Sequence, residues 1–261
     1  MIINIPRKTF CVGEYGVLHN GQALIINHGP VYSIKASEGD VPSHLSYFAN
    51  INKQLSFEKD KGFGASSAEF ISYYYLQNKE FDLAKMQAIY KLIFTESSGA
   101  DMIAQLTGKI SLVNTNPINS NVLEWNFKDL DFCIIKTGYE ISTFKHLQKV
   151  NINNVDLLKA ISAKCVAAFA DSDANSFLGY LKLFYNQLKI EKLVDPRVET
   201  IIDDLSKIQG VRAIKGCGAF GTESIFCVYD VSFKEDILKK LKDYTVYDSY
   251  KNLANKTYVS S

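Results

Sequence analysis

The stretch GFGASSAEF, Gly62 to Phe70, decides how the rest of this chain is read. Two glycines flank a phenylalanine and two hydroxyls follow. Apolar spacing at Phe70, Ile71, Tyr74 and Tyr75 then predicts a helix. Gly and Ser are ordinary loop residues, so one reading is a flexible entry with a helix N-cap. The other is a phosphate cradle. Glycines let a backbone approach an anion, and a helix N-terminus offers unpaired N–H groups and the positive end of the dipole. The stretch fits neither the G-x-x-x-x-G-K-[ST] loop nor the dinucleotide fingerprint.

Before it, MIINI, TFCVG, ALIIN and VYSIKAS read as strands, with HNGQ as a turn, and QLSFEKD as an edge or hairpin strand. After it, Leu83, Met86, Tyr90 and Ile93 share a helical face. A short helix ends at Gly108 and leads into the strand KISLVN, the turn-rich NTNPINSN and the strand FCIIKTG. Three helical patterns follow, the last with Pro196 in its first turn. The strands around VRAIKGCGAFG and SIFCVYD, a helix near Ile237 and a strand near YTVYDS complete the chain. Strands and helices mix without βαβα alternation, so the class is α+β. A soft boundary near Lys128 divides the chain into domains 1–128 and 129–261.

Composition excludes more than it specifies. The 261 residues carry 29 basic and 28 acidic side chains, a net charge of +1 that gives no electrostatic case for nucleic acid or an anionic membrane. The 5 cysteines are scattered and never spaced C-x-x-C, which points to free thiols in a reducing compartment. His19, His28, His44 and His146 form no metal-ligand pattern. No window is apolar enough for a signal peptide or a membrane span, so the expectation is a soluble cytoplasmic protein.

Three further stretches share the order of the chain with Gly62–Phe70. PRKTFCVGEYGVLHNG sets Lys8 before a strand that runs into Gly13-Glu14-Tyr15. SSGADMIAQLTG puts Asp101 at a helix start, where an acid ordinarily serves the dipole. IKGCGAFGTESIF gathers Gly216, Gly218 and Gly221 between two apolar strands.

In this order the four stretches resemble the GHMP kinase superfamily, nearest its mevalonate and phosphomevalonate kinases. The motif P-G-K-x-x-x-x-G-E-[HY]-x-V-L is matched by Pro6, Lys8, Gly13, Glu14, Tyr15, Val17 and Leu18. G-L-G-S-S-A-A is matched by Gly62, Gly64, Ser66 and Ala68, and S-G-x-D by Ser98, Gly99 and Asp101. The third glycine motif matches in part.

The resemblance implies an N-terminal α/β domain with a left-handed βαβ unit and a C-terminal ferredoxin-like domain, with ATP and a small-molecule substrate between them. It implies ATP phosphates on Gly62, Gly64, Ala65, Ser66 and Ser67, with Ser66 also toward Mg²⁺. Asp101 becomes the catalytic base and Lys8 the cation beside the attacking hydroxyl. Glu14, Tyr15 and Gly218 line the acceptor pocket. Arg7 faces away, or reaches an anionic acceptor if the strand is bulged. Tyr90 stands where mevalonate kinases carry a magnesium-binding Glu. The implied activity is γ-phosphate transfer to an anionic acceptor such as mevalonate or phosphomevalonate. A non-catalytic binding protein and an ATP-dependent decarboxylase on the same fold are the alternatives, and the oligomeric state is open.

Overall fold

The structure, a computed structural model, describes residues 1–58, 62–139, 152–248 and 250–260. His146 and the end of the expected strand QLSFEKD, Lys59 and Asp60, lie outside these.

The first sheet is built on two long strands, β1 (Ile2–Val12) and β2 (Gln22–Glu38). β3 (Lys53–Ser56), β4 (Ile110–Thr115), β5 (Ile118–Leu123) and β10 (Tyr258–Ser260) complete it in the order β10-β1-β2-β4-β5, with β3 on the far end of β2. MIINI and TFCVG are therefore one strand, not two. Pro6 lies where the β1–β2 register shifts between Ile5 and Arg7, since proline has no N–H for the ladder. NTNPINSN holds more strand than expected, because its second half is β5, paired back onto β4.

The second sheet contains β6 (Leu130–Lys136), β7 (Val211–Cys217), β8 (Ser224–Asp230) and β9 (Thr245–Asp248), all antiparallel in the order β7-β8-β6-β9. Helices separate β6 from β7 and β8 from β9, so strand order and chain order are those of a ferredoxin-like βαββαβ unit. The chain leaves the first sheet at Leu123 and enters the second at Leu130, but its last strand pairs with Ile2–Asn4. The C-terminal end is thus part of the first sheet.

Among the described residues the α-helices are α1 (Ala65–Asn78), α2 (Leu83–Ile93), α3 (Ala100–Thr107), α4 (Val155–Ala170), α5 (Ala174–Ile190), α6 (Pro196–Ser206) and α7 (Lys234–Lys240). Phe48, Phe70, Tyr73 and Tyr90 pack edge-on or stacked beneath α1. Trp125, Phe127, Phe132, Phe169 and Phe177 join β6 to α4 and α5. Side chains cap four helices at the first turn: Asp82 on α2, Asn154 on α4, Asp173 on α5 and Asp195 on α6. Each such cap is worth about 1 kcal/mol. Neither α1 nor α3 has one at its N-cap position, which is Gly64 in one and Gly99 in the other.

Candidate functional site

Lys8 is on β1, with its backbone N–H donated to the Phe63 carbonyl at 3.0 Å. The strand and the glycine stretch are thereby joined edge to edge. Gly64 sits over the stem of Lys8, at φ +85°, where a Cβ would lie 2.9 Å from Lys8 Cγ and 2.8 Å from Gln105 Nε2. Only glycine meets both demands. Gln105, from α3, holds the arrangement: its Nε2 donates to the Pro6 carbonyl at 2.9 Å and the Gly64 carbonyl at 3.1 Å, and its Oε1 accepts from Ser67 Oγ at 2.7 Å.

Across from Lys8, the first turn of α3 presents Asp101. Lys8 Nζ is 3.1 Å from Asp101 Oδ2, with the lysine 6% exposed and the aspartate 32%. The carboxylate therefore faces the opening and the ammonium lies beneath it. Burial alone would lower the Lys8 pKa. The carboxylates of Asp101, Glu223 and Glu14 outweigh it, and the ammonium is held above its ordinary range.

At the start of α1 the two serines divide. Ser67 is buried, donating to the Gly64 carbonyl at 3.0 Å as well as to Gln105. Ser66 is exposed and Ala65 half-buried. No side chain caps the first turn, so its amides have no side-chain acceptor, and the exposed Ser66 lies among them.

The third glycine stretch closes the site from the second sheet. A Cβ on Gly62 would lie 2.8 Å from Glu223 Cβ, and one on Gly218 would overlap the Glu223 carboxylate. Glu223, half-buried, is thus wedged between the two glycine stretches. Sequence reasoning missed it and Gln105. The signal for Glu223 was an acid beside a glycine run; Gln105 had none, because a buried amide looks like any helix residue until its partners are known.

The sequence matches no protein-family model and no curated protein sequence. Solved structures do match. Mevalonate kinase from Methanococcus jannaschii superposes with a TM-score of 0.69 at 16% identity, over 95% of this chain and 97% of that one. The phosphomevalonate kinase of Streptococcus pneumoniae, solved with phosphomevalonate and AMPPNP, gives 0.73 at 12% identity, over 93% and 96%. The galactokinase of Lactococcus lactis, complexed with galactose, gives 0.60 at 11%, over 98% and 94%. This chain has the GHMP kinase fold. At these identities the likeness is one of fold.

On this GHMP scaffold the expected residues fall into two groups. Lys8, Asp101, Gly62, Gly64, Ala65, Ser66, Ser67 and Gly218 come together as described. Glu14 and Tyr15 are adjacent but turned elsewhere. Glu14 is buried and paired with Lys215 Nζ at 2.5 Å, and the Tyr15 hydroxyl accepts the Phe220 N–H at 3.1 Å. Both side chains are buried, and each has one polar contact across to the second sheet, while Glu14 Oε2 is buried without a hydrogen-bond partner. Arg7 follows the bulged alternative in its backbone but not in its destination. Its guanidinium donates to the Tyr247 hydroxyl at 2.7 Å and lies over the rings of Tyr32 and Tyr247.

Tyr90 is packed against Phe70 and Phe94, with ring centroids 4.9 and 4.7 Å away. Burial, then the charge of Asp101, raises its phenol pKa, against a hydrogen bond to Ser97. Its phenol stays protonated in the neutral range and its ring lies in an aromatic cluster. Among the described residues no group of three His, Cys, Asp or Glu side chains is placed to hold a metal. No described helix is long and apolar enough to cross a membrane.

Proposed function

We propose that this chain transfers the γ-phosphate of ATP to a hydroxyl or phosphate oxygen of a small-molecule acceptor. The observation that carries this reading is the Lys8–Asp101 pair, 3.1 Å apart beside the uncapped start of α1. Three features fit a triphosphate: glycines that leave no room for a Cβ, first-turn amides without side-chain acceptors, and a buried lysine whose charge is secured. Magnesium takes one or two carboxylates and fills its octahedron with phosphate oxygens and water. Ser66 and the carboxylate of Glu223 are the residues that would hold it. When bound, the ion neutralises phosphate charge.

The chain's own residues do the rest. With a hydroxyl acceptor, Asp101 accepts its proton as the oxygen bonds to the γ-phosphorus and the bridging oxygen leaves with ADP. Lys8 stays positive because its pKa is raised, and stabilises the developing alkoxide. Its position 3.1 Å from Asp101 Oδ2 puts the ammonium next to the atom that would take the proton.

Mevalonate and phosphomevalonate are the first acceptors to test, because kinases with those names share the fold over nearly the whole chain. A second reading, a non-catalytic nucleotide-binding protein, is favoured by the burial of Tyr90 at the place of the expected Glu. ADP release in the presence of mevalonate, phosphomevalonate and galactose decides between them. Turnover with any acceptor removes the binding-protein reading; nucleotide binding without turnover on any of them removes the kinase. Release of CO₂ would instead identify a decarboxylase, the activity named for a Staphylococcus aureus protein with this fold.

A further inference from the structure

Outside the reacting groups, the most unusual feature is a lysine with no exposed surface. Lys215, on β7, is 0% exposed, and its ammonium reaches Glu14 Oε1 at 2.5 Å, the Phe10 carbonyl at 3.4 Å and Cys217 Sγ at 3.5 Å. Every one of these partners is a strand or turn residue at the seam of the two sheets. Phe10 is two residues along β1 from Lys8 and shares its face, with the Lys8 ammonium 5.0 Å from the Phe10 ring centroid. Cys217 is the last residue of β7, directly before Gly218.

The next residue after Glu14 makes a second tie across the same seam. The Tyr15 hydroxyl accepts from the Phe220 amide at 3.1 Å, inside the third glycine stretch. Both backbones are in unusual places. Tyr15 has φ 64° and ψ −45°, and Phe220 has φ 57°, left-handed values that residues with a Cβ rarely adopt. Such conformations persist where the surroundings over-determine them. Here the surroundings are the two ties themselves, together with the close passage of Gly216 against the Gly221 carbonyl.

We infer that Glu14 and Tyr15 form a two-pronged latch, closed on Lys215 and the Phe220 amide, that sets the third glycine stretch at a fixed distance from the strand carrying Lys8. Glu223, wedged between Gly62 and Gly218, is held in place by the same closure. These are positioning residues. The latch is a statement about structure, whereas its catalytic consequence rests on the phosphotransfer reading, and the two are tested separately.

The first measurement is hydrogen exchange on the ligand-free chain. Removing one charge would strand the other, so Glu14→Gln and Lys215→Met are combined; paired neutral replacements of similar volume usually keep a fold. Tyr15→Phe deletes only the hydroxyl, and serves alone if the double variant does not fold. The expected result is exchange at least about tenfold faster at the amides of Phe220, Gly221 and Thr222, with the β7–β8 ladder unchanged. Unchanged exchange at those amides in a folded variant would overturn the latch.

The second measurement is steady-state kinetics, with ATP and whichever of mevalonate, phosphomevalonate and galactose the parent turns over. A latch that positions the reacting groups predicts kcat at least tenfold lower, with KM for ATP within about threefold, since the Gly62–Ser67 cradle is intact. Parental kcat in a variant whose glycine stretch exchanges faster would overturn the positioning role. A parent that turns over none of mevalonate, phosphomevalonate and galactose would overturn the phosphotransfer reading, and the positioning role with it, while the exchange result would still stand.

Discussion

Lys8 and Asp101 meet 3.1 Å apart, one from the strand that opens the chain and one from the first turn of α3. Their unequal exposure separates their duties. Asp101→Asn nearly conserves volume and keeps the turn, so turnover should fall by about 10²–10⁴-fold, the usual loss of a general base, with nucleotide affinity close to parental. Calorimetric titration beside steady-state kinetics checks this. A variant within about threefold of the parent would reduce Asp101 to a helix-start residue.

Lys8→Met should lower kcat by about 10²–10³-fold, because the ammonium acts on charge that develops during transfer. The sign of its pH dependence follows from its raised pKa. Stability from the folded lysine's interactions is complete below the unfolded lysine's pKa and is lost only as pH rises through the higher folded value. No step from Lys8 should therefore appear in the pH–rate profile through the neutral range. A step near neutrality that disappears in Lys8→Met would show a depressed lysine instead.

Ser66 and Ser67 should respond in opposite ways to alanine. Ser67→Ala deprives Gln105 of its donor and frees the brace on Gly64, which costs about 1–3 kcal/mol for a buried acceptor left unsatisfied. Ser66→Ala touches nothing buried, so thermal stability should hold while affinity for Mg·ATP drops more than affinity for adenosine. Melting curves and titrations on both variants check the split; equal behaviour would mean that the first turn of α1 does not face the nucleotide.

Gly64→Val combines two penalties. The residue is at φ +85° and its Cβ would press on Lys8 and Gln105, so about 1–3 kcal/mol of backbone strain adds to a blocked approach for phosphate. ATP binding should be lost in titration even where circular dichroism shows a folded chain. Parental affinity in that variant would place the nucleotide elsewhere.

That these residues lie together was legible because each stretch came with a local cue. Glycine beside serine before a helix, Ser-Gly-Ala-Asp at another helix start, and Lys8 ahead of Gly-Glu-Tyr are short-range patterns. The class was legible from periodicity, and the order of the second sheet agrees with the expected ferredoxin-like arrangement. What could not be read was long-range. β10 is three residues that pair with β1 from the other end of the chain, and nothing in Tyr258–Ser260 announces a strand. The partners of Glu14, Tyr15 and Arg7 lie more than two hundred residues away in sequence, in Lys215, Phe220 and Tyr247. Polar residues near a motif were read as facing a substrate, whereas burial had turned them toward each other.

Five free cysteines are all buried, and their titration gives a further check. Burial raises the Cys217 thiol to about 11, against the opposing pull of Lys215, and Cys165 to about 12. Native protein at pH 8 should therefore resist iodoacetamide, and unfolded protein should react at all its cysteines. Raised values favour the folded state fully below the unfolded thiol pKa of about 8.5 and progressively less above it. The urea midpoint should fall between pH 8 and 9.5. Fast alkylation of native protein at pH 8 would contradict the burial.

Tyr90 decides whether the place of the expected acidic residue has been vacated or replaced. Its ring fills the space between Phe70 and Phe94, and Gly99, just before α3, would bring a Cβ within 3.6 Å of it. Tyr90→Phe keeps that packing and gives up a hydrogen bond to Ser97, so kcat should stay within about twofold and stability within about 1.5 kcal/mol. Tyr90→Glu buries a carboxylate close to Asp101. Desolvation and the like charge would both raise that carboxyl's pKa, so the variant should be most stable at low pH and lose on the order of 3 kcal/mol as pH rises through the folded value. Urea melts of the glutamate variant at pH 5 and pH 8 measure this directly. Should Tyr90→Glu instead keep parental stability at pH 8 and bind Mn²⁺·ATP more tightly than the parent, the tyrosine would be a lost metal ligand and the chain a weakened enzyme. The expected outcome, an unstable variant with no gain in metal affinity, would leave Glu223 and Ser66 as the groups toward the ion.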